Sequence, residues 1–481
     1  MDSKKLPLVV DLDGSLVTTD MLYETFVRAV FRYPWVIFLA PVWLLRRGRA
    51  YLKFKLAEIA VVDVSVLPYH TELLDYLKQQ NSRELVLCTA TNQGLAEKIA
   101  DHLGIFSSVM GSTERVNLAG KNKARSLEEK YSKGGFVYVG NESRDKHIWA
   151  ISEHAVVVSS DQKLVNSLPD NCAVEATFTS PVFTVRKLMA ACRLHQWVKN
   201  SLLFVPMLVD KEILNLELLL TGIVAFLAFG FCASSTYIVN DLADLDSDRR
   251  HWKKKSRPFA SGALSILSGF KVSGAFMILA FALALSVSVH FALLLVCYVV
   301  ITLAYSFTLK RRQTLDVLTL AGLYTLRIIA GGAAVGIAPS FWLLAFSMFL
   351  FFCLAIIKRL SELTKISAES NRYTKLSGRG YYPADLNILT NLASASGLIS
   401  VLVFSLYLNS PEVTNLYAQP HLLWGICPLF AYWITRVLIM GSRGEIDEDP
   451  IAFALKDSRS WFTALCIAFI VLSASQTWVV L

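Results

Sequence analysis

The chain has 481 residues, of which 54% are hydrophobic and only 18% are charged, and its mean hydropathy is +0.47. A composition this apolar excludes a wholly soluble protein of this length and predicts an integral membrane protein. The formal net charge is +9, but the basic residues collect in loops between apolar runs, so we expect no nucleic-acid partner.

The first third of the chain differs from the rest. Residues 1–165 alternate strand-like and helix-like patterns, which predicts an α/β fold with a parallel sheet covered on both faces. Residues 166–185 are polar and are predicted to be a linker, and residues 186–481 are predicted to be an all-α membrane domain. We place strands at residues 7–12, 84–88, 135–139 and 155–158.

An insertion over roughly residues 17–75 follows the first strand and is predicted to form a largely helical cap. It contains the apolar run 33–45, which is too short to cross a bilayer and is interrupted by Pro34 and Pro41. Arginine residues flank this run on both sides. Two interpretations stay open: a buried cap helix, and a segment in the membrane interface, where apolar and aromatic residues with basic flanks are favoured.

Polar residues follow the predicted strands at the edge where parallel sheets place their chemistry. The first two are carboxylates, Asp11 and Asp13, in the sequence Asp-Leu-Asp-Gly. The first suits nucleophilic attack on phosphorus, and the second, two residues later, suits proton transfer. Further residues at or near strand ends are Thr89, Lys123, Asn141 and Asp145.

In order and position these residues resemble the four motifs of the haloacid dehalogenase-like phosphatases, over most of residues 5–160. The resemblance implies that Asp11 is the nucleophile, that Asp13 is the general acid/base, and that Thr89 and Lys123 hold the phosphoryl group. It also implies a Mg²⁺ site formed by Asp11, Asp13, Asn141 and Asp145. The family usually has an aspartate where this chain has Asn141. An amide keeps the oxygen ligand but removes a charge, so a scaffold without activity is the alternative.

The second part of the chain contains about nine apolar runs long enough to be considered as membrane spans. The loops on one side are rich in Lys and Arg, and those on the other side are nearly uncharged. The positive-inside rule therefore places the basic loops, the N-terminal domain and both candidate sites on the cytoplasmic side of an inner or plasma membrane. The predicted spans are 199–213, 218–243, 269–289, 290–309, 314–337, 340–362, 384–408, 421–441 and 459–481.

An acidic cluster ends the second of these runs and consists of Asn240, Asp241, Asp244 and Asp248. On one continuous helix, residues 240, 244 and 248 would lie on the same face. Their hard oxygen atoms suit Mg²⁺, which commonly also binds substrate phosphates. A solvated acidic helix end is the alternative, but ionisable residues at this depth are treated as functional by default.

This motif and the number of spans resemble the UbiA-type intramembrane prenyltransferases. Within that superfamily, the sequence Arg193-Leu-His-Gln196-Trp-Val-Lys199-Asn200 is similar to the branch that makes decaprenyl-phosphate phosphoribose. Where ordinary members have a second aspartate-rich motif, this chain has only Asp316 on that helix. The resemblance implies a substrate-binding set of Arg193, Gln196, Lys199, Asn200, Lys254, Arg257, Tyr305, Lys310, Asp316, Arg327, Lys358, Arg359 and Glu362.

The resemblance also implies the reaction. The donor would be phosphoribosyl diphosphate, the acceptor a polyprenyl phosphate and the cofactor Mg²⁺, and the fused phosphatase would then remove the 5-phosphate of the product. Two alternatives stay open. One is a prenyltransferase that moves an isoprenoid from prenyl diphosphate to an aromatic or other acceptor. The other is a non-catalytic transporter or scaffold for polyprenyl lipid. The oligomeric state is not predicted.

Overall fold

The computed structural model describes residues 6–80, 82–169, 171–369, 379–446 and 450–475. The chain divides into two compact units. Unit 1 comprises Met1–Cys192 and Tyr237–Ser273, and unit 2 comprises Arg193–Thr236 and Gly274–Leu481. The start of the predicted first domain, residues 1–5, and the end of the last predicted span, residues 476–481, lie outside the described residues.

Unit 1 is built on a six-stranded parallel sheet with the order β3-β2-β1-β4-β5-β6. The chain winds outward from β1 in one direction and from β4 in the other. The edge between β1 and β4 is therefore the topological switch point, where open α/β sheets form their ligand crevice. The strands are β1 (Leu8–Val10), β2 (Leu85–Asn92), β3 (Ser108–Ser112), β4 (Val137–Gly140), β5 (His154–Val158) and β6 (Ala173–Phe178).

Strands β1, β4 and β5 are apolar because they are buried between the helices on the two faces of the sheet. Along β1, Leu8 and Val10 join the core on one face, whereas Val9 joins the core on the other. Eight helices of unit 1 are α1 (Met21–Arg32), α2 (Val36–Ile59), α3 (Thr71–Lys78), α4 (Gln93–Leu103), α5 (Lys121–Tyr131), α6 (Lys146–Trp149), α7 (Gln162–Val165) and α8 (Val185–Cys192).

Strand β6 lies in the stretch that the sequence predicted to be a linker. It pairs in parallel with β5 and forms the edge of the sheet. Most of its side chains are exposed, so the strand is held mainly by its backbone pairing and carries no continuous apolar pattern. The polar composition of residues 166–185 therefore marks an edge strand as well as connecting chain.

The described residues that follow α8 are mainly helical, and eight of the helices among them are long and apolar enough to cross a membrane. The predicted fold class, an N-terminal α/β region followed by a helical membrane domain, is confirmed. The helices are α9 (Val205–Val209), α10 (Leu216–Ala243), α11 (Leu245–Arg250), α12 (Ile266–Val287), α13 (Val289–Phe307), α14 (Leu315–Val335), α15 (Phe341–Glu369), α16 (Leu386–Leu408), α17 (Pro411–Thr414), α18 (Ile426–Ser442), α19 (Pro450–Lys456) and α20 (Ser458–Ser475).

The predicted first span, 199–213, is not a long helix. Residues Leu194–Phe204 form 3₁₀ turns and lead into the short helix α9, where Pro206 occupies the first turn. The 3₁₀ segment approaches α14 so closely that a Cβ atom on Gly331 would lie 2.1 Å from the carbonyl oxygen of Leu203. The segment therefore contacts α14 at Leu203, and within it Asn200 and Leu203 are buried. The apolar residues that follow Ser201 did not predict this 3₁₀ conformation.

Candidate active sites

The first candidate site lies at the carboxyl edge of the sheet in unit 1. Asp11 directly follows β1, and its Oδ1 accepts a hydrogen bond of 2.7 Å from Nζ of Lys123 on α5. The same Nζ lies 3.1 Å from the hydroxyl of Tyr138, which donates to Oδ1 of Asp145 at 3.2 Å. Burial alone would lower the pKa of Lys123, but the Asp11 carboxylate together with Cys88 and Asp145 outweighs burial and raises that pKa. Lys123 therefore stays charged beside the candidate nucleophile.

The carboxylate of Asp13 is held by a different set of hydrogen-bond donors from that of Asp11. Its Oδ1 accepts from the backbone N–H of Met21 at 2.7 Å, at the start of helix α1. Its Oδ2 accepts from Thr91 at 3.0 Å and more weakly from Thr89 at 3.5 Å. Burial, assisted by the nearby Asp20 and Asp11, raises the pKa of Asp13 to about 7. A carboxyl group that titrates near neutral pH suits general acid–base catalysis.

Asn141 packs against the loop that carries both aspartates. Its Oδ1 accepts from Ser15 at 3.2 Å, and a Cβ atom on Gly14 would lie 2.2 Å from its Nδ2. Gly14 has a φ of 75°, so this position favours glycine both for its backbone and for its contact. The backbone N–H groups of Asn141 and Glu142 donate to Oδ2 of Asp145, each at 2.9 Å. Burial and Asp11 raise the pKa of Asp145 to about 6.

Sequence reasoning missed three groups of this site. Thr91 makes a shorter hydrogen bond to Asp13 than the predicted Thr89 does. Tyr138 joins Lys123 to Asp145, although its position inside β4 made it look like a core residue. Lys53 on α2 donates to the carbonyl of Ala90 at 2.6 Å, and burial lowers its pKa. The two-residue period of a strand could have identified Thr91, because it places Thr91 on the same side of β2 as Thr89. Tyr138 and Lys53 reach the site only through the fold.

The second candidate site is the aspartate-rich segment, which also belongs to unit 1. The prediction of one continuous helix is wrong, because α10 ends at Ala243 and α11 begins after Asp244, whose φ and ψ are −95° and 12°. Hydrogen bonds still cross the break, from the N–H of Asp244 to Asn240 at 2.9 Å and from that of Asp248 to Asp244 at 2.8 Å. The distortion is therefore small, but the four side chains do not follow one ideal helix face.

Arg257 brings two of these carboxylates together. Its Nη1 lies 3.2 Å from Oδ1 of Asp241 and 2.6 Å from Oδ2 of Asp248, and both aspartates are buried. Asn240 donates from Nδ2 to Asp244 at 3.2 Å. Thus one cation already bridges two acidic side chains on either side of the helix break.

Both sites can be compared with the ligand requirements of Mg²⁺. Within the described ranges, no group of three or more His, Cys, Asp and Glu side chains is arranged to hold a metal ion. Mg²⁺ commonly uses one or two carboxylates and completes its shell with water and substrate phosphate. Asp11 and Asp13 in one site, and Asp241 and Asp248 around Arg257 in the other, meet that smaller requirement. In type and number these donors therefore suit Mg²⁺ that also binds a phosphate ligand, and Lys123 and Arg257 already occupy some of the carboxylate oxygens.

A buried ion-pair network in unit 1 joins the two sites and was not predicted. Glu24 on α1 is fully buried and pairs with Arg28 and with Nη2 of Arg249, the latter at 2.6 Å. Arg28 also pairs with Asp246. Burial alone would raise the pKa of Glu24, but Arg28 and Arg249 outweigh it and lower that pKa to about 2. Helix α1 therefore contacts Asp13 at its first residue, Met21, and the aspartate-rich segment farther along.

In unit 2, Arg327 on α14 is 5% exposed and has an unusual environment. Its guanidinium lies over the rings of Phe229, Tyr298 and Tyr324 at 5.1 to 5.5 Å. It donates to Oδ1 of Asn200 at 3.2 Å and to the carbonyl of Leu323 at 2.6 Å. In the part of the chain that the structure describes, no carboxylate pairs with it.

Asn200 completes this environment. It is 1% exposed, and its Nδ2 has no hydrogen-bond partner among the described residues. The neighbouring Lys199 places Nζ 5.7 Å from the centroid of the Tyr324 ring. A buried cation and an unsatisfied donor are both costly in a membrane. The arrangement therefore provides two donor groups suited to an anion, and we call Asn200 and Arg327 the Asn–Arg site.

Asp316, near the start of the same helix, is fully buried and fully paired. It accepts from the hydroxyl of Tyr305 at 2.8 Å and from Arg379 at 2.9 Å, and it forms a two-point contact with Arg359. Arg359 also pairs with Glu362. Three of these were predicted to bind substrate together with Asp316, and the structure brings them together, but the sequence did not identify Arg379. The charges balance within the protein, so this cluster requires no metal ion.

The other residues predicted to bind substrate lie on separate elements of the two units. Arg193 and Gln196 lie at the start of the 3₁₀ segment in unit 2, with Arg193 at a φ of 50°. Lys310 lies in a 3₁₀ turn after α13, Lys358 lies on α15, and Lys254 lies in a turn after α11 in unit 1. Their roles stay predictions.

Comparison with known proteins identifies the family to which the chain is similar. The model of the UbiA prenyltransferase family matches residues 202–453. An uncharacterized protein, y4nM, of Sinorhizobium fredii is 39% identical over 473 residues, which covers 97% of this chain and 90% of that protein. Nodulation protein NoeC of Azorhizobium caulinodans is 34% identical over 281 residues, which covers 58% of this chain and 90% of that protein.

The decaprenyl-phosphate phosphoribosyltransferase of Corynebacterium glutamicum is 30% identical over 259 residues, which covers 52% of this chain and 77% of that protein. Among solved structures, a UbiA homolog from Archaeoglobus fulgidus bound to GPP and Mg²⁺ is 17% identical, with a TM-score of 0.44. That similarity covers 60% of this chain and 100% of the homolog. At this TM-score it supports no inference about ligands.

Proposed function

The chain belongs to the UbiA prenyltransferase family, and on this premise we propose that it transfers 5-phosphoribose from phosphoribosyl diphosphate to a polyprenyl phosphate. The observation that carries the proposal is the Asn–Arg site, where a buried arginine and an amide nitrogen lack an anionic partner among the described residues. A polyprenyl phosphate brings an anion into the membrane, whereas many acceptors of a prenyl group do not. The names of the phosphoribosyltransferase relatives support the same pair of substrates.

The donor would bind at the aspartate-rich segment. Asp241 and Asp248, with Asn240 and Asp244, would hold Mg²⁺, which supplies charge neutralisation for the diphosphate leaving group. Arg257, which pairs with two of these carboxylates, would donate to diphosphate oxygens when its carboxylate partners bind the ion. The basic residues on either side of it, including Lys254, would add to the same positive surface.

The acceptor phosphate would bind at the Asn–Arg site, with Arg327 donating from its guanidinium and Asn200 from Nδ2. In the transfer, a phosphate oxygen of the acceptor forms a bond to C1 of the ribose, and the bond from C1 to the diphosphate breaks with its electron pair on the diphosphate. The attacking oxygen is already anionic, so the chain needs no strong general base. The polar cluster around Asp316 would position this part of the protein rather than bind a second ion.

We further propose that the α/β region is a haloacid dehalogenase-like phosphatase that removes the 5-phosphate from the product. Asp11 would form a bond to phosphorus while the bond from phosphorus to the ribose oxygen breaks, and Asp13 would donate a proton to that oxygen. Water, giving its proton to Asp13, would then attack the same phosphorus, release inorganic phosphate and restore Asp11. Lys123 and Thr89 would hold the phosphoryl oxygens. Because β6 belongs to the sheet, this domain would extend to about residue 178, and the membrane domain would comprise residues 186–481. Both sites would face the cytoplasm.

The test uses the purified full chain in lipid nanodiscs with radiolabelled phosphoribosyl diphosphate and polyprenyl phosphate. Wild-type protein should release inorganic phosphate and form polyprenyl-phosphate ribose, whereas Asp11→Asn should accumulate the 5-phosphorylated lipid. If wild type also stops at the phosphorylated lipid, the phosphatase proposal is wrong. Transfer from prenyl diphosphate instead would support the prenyltransferase alternative, and the absence of any chelator-sensitive turnover would support the non-catalytic one.

A further inference from the structure

Helix α2 of unit 1 exposes a continuous apolar stripe. Trp35, Phe38, Val42 and Leu45 are 49%, 77%, 39% and 85% exposed. Their spacing of three, four and three residues places them along one side of a helix. Contiguous apolar surface of this kind on a protein marks a site of interaction rather than ordinary surface.

The opposite side of the same helix is partly packed, with Ile37 and Leu44 still 50% and 40% exposed. Val36 and Ala40 are buried in a small cluster with Ala29 of α1 and with Leu52 and Leu56 farther along α2. The hairpin of α1 and α2 therefore has its own core, and the apolar stripe is additional to it. The interpretation of residues 33–45 as a simple buried cap helix accounts for only one of the two faces.

The charges around the stripe are of one sign. No Asp or Glu occurs between Glu24 and Glu58. Arg32 lies before the stripe, and Arg46, Arg47 and Arg49 follow it, all of them exposed. An apolar face with clustered arginines at its end is complementary to a bilayer surface that contains anionic lipid phosphates.

Contacts inside unit 1 place the hairpin beside a membrane span. Phe26 of α1 packs edge-to-face on Phe270 with the ring centroids 5.9 Å apart, and Phe270 lies in the second turn of the candidate span α12. Arg28, half a turn farther along α1, pairs with Asp246, which follows the span α10. The hairpin is thus attached where two spans end, within reach of the bilayer surface.

We propose that residues 36–47 lie flat in the headgroup region of the bilayer, with Phe38 and Leu45 at the acyl boundary and Arg46, Arg47 and Arg49 on anionic lipid phosphates. Gly48, with a φ of 77°, breaks the helix directly after this segment. The part of α2 beyond the break returns to the sheet and carries Lys53 to the carbonyl of Ala90. The membrane segment and a lysine of the first candidate site are therefore joined by one short stretch of backbone. This inference does not depend on the reaction proposed above.

The experiment places a nitroxide label at residue 38 by Phe38→Cys in a full-length chain whose native cysteines are replaced. The protein is reconstituted in vesicles of phosphatidylcholine and phosphatidylglycerol. Collision of the label with lipid-soluble oxygen is compared with its collision with a water-soluble nickel chelate. The control is Val116→Cys, at an aliphatic residue of the α/β region that is 52% exposed. We expect a several-fold higher oxygen-to-nickel ratio at residue 38 than at residue 116.

Equal ratios at the two positions would overturn the proposal, and so would protection of residue 38 from both reagents, which would indicate a protein partner or a second copy of the chain. Replacing the arginines in the labelled chain (Arg46→Glu, Arg47→Glu and Arg49→Glu) should bring the ratio at residue 38 towards that at residue 116. An unchanged ratio would contradict the role of lipid phosphates.

A second measurement keeps the native cysteines. Brominated phosphatidylcholine quenches tryptophan at the acyl boundary, so the difference in fluorescence between wild type and Trp35→Phe reports Trp35 alone. We expect this component to be quenched in the bilayer. An unquenched Trp35 in the intact protein would overturn the proposal.

Discussion

Asp316 and Arg327 lie on the same membrane helix, about three turns apart, yet the protein treats their charges in opposite ways. Asp316 is surrounded by Tyr305, Arg359 and Arg379, whereas Arg327 meets aromatic rings, an amide and a carbonyl. A buried pair with satisfied hydrogen bonds is part of the structure, but a buried cation without its counter-charge requires a ligand to become favourable. Burial of a charge in a membrane thus does not by itself identify a binding residue. Whether the charged group is paired with an opposite charge of the protein distinguishes a structural residue from a candidate binding residue.

The largest effect is expected from Asp316→Asn. It removes the carboxylate that two arginines share, and breaking a buried pair by removing one partner costs about 3–5 kcal/mol. We expect a matching loss in the free energy of unfolding, measured by denaturant titration in detergent. Glu362→Gln is the control, because the Glu362 side chain is 37% exposed and its loss should matter less. Unchanged stability of Asp316→Asn would show that the carboxylate serves a substrate instead.

Arg327→Gln should have the opposite signature. Because no carboxylate of the described chain depends on Arg327, we expect the free energy of unfolding to stay the same or to rise. Loss of a charged donor to a buried phosphate should lower kcat/KM for the polyprenyl phosphate about 100-fold, equivalent to about 3 kcal/mol. Arg327→Lys, which keeps the charge but not the planar fork, should recover part of the activity. If the variant is destabilised but has normal activity per folded molecule, Arg327 has a structural role like that of Asp316.

Glu24 extends the comparison to unit 1, where a buried carboxylate is balanced by Arg28 and Arg249. Its folded pKa of about 2 lies below the ordinary value of 4.5. The stabilisation is therefore complete above pH 4.5 and is lost as the pH falls towards 2. The shift corresponds to about 3 kcal/mol. We expect the unfolding free energy of wild type to fall through this range more steeply than that of Glu24→Gln, and parallel curves would contradict the assignment.

These contrasts also show what the sequence could predict. The strand ends that carry Asp11 and Asn141 were predictable for two reasons. Buried parallel strands are continuous apolar runs in the sequence, and functional residues of such sheets lie at the carboxyl ends of the strands. The pairing of Glu24 with Arg249 joins residues 225 positions apart, and no periodic pattern encodes it. Likewise, the apolar run from Leu202 to Val209 predicted part of a span, and its sequence did not show that the residues before Pro206 form 3₁₀ turns. The sequence thus predicted which polar residues follow the strands, but the residue that neutralises each buried charge could be identified only from the fold.

The smallest effect is expected at Arg250, the neighbour of Arg249 on α11. Arg250 pairs with Asp63, but 58% of its side chain is exposed, compared with 4% for Arg249. Exposed ion pairs contribute about 0–1 kcal/mol and are screened by salt, whereas buried pairs are screened much less. We therefore expect Arg250→Ala to change the unfolding free energy by less than about 1 kcal/mol, with no difference left at high salt. Arg249→Ala should cost several times more at every salt concentration. Equal losses for the two arginines would contradict this prediction. They would mean that burial of an ion pair does not determine how much it stabilises this protein.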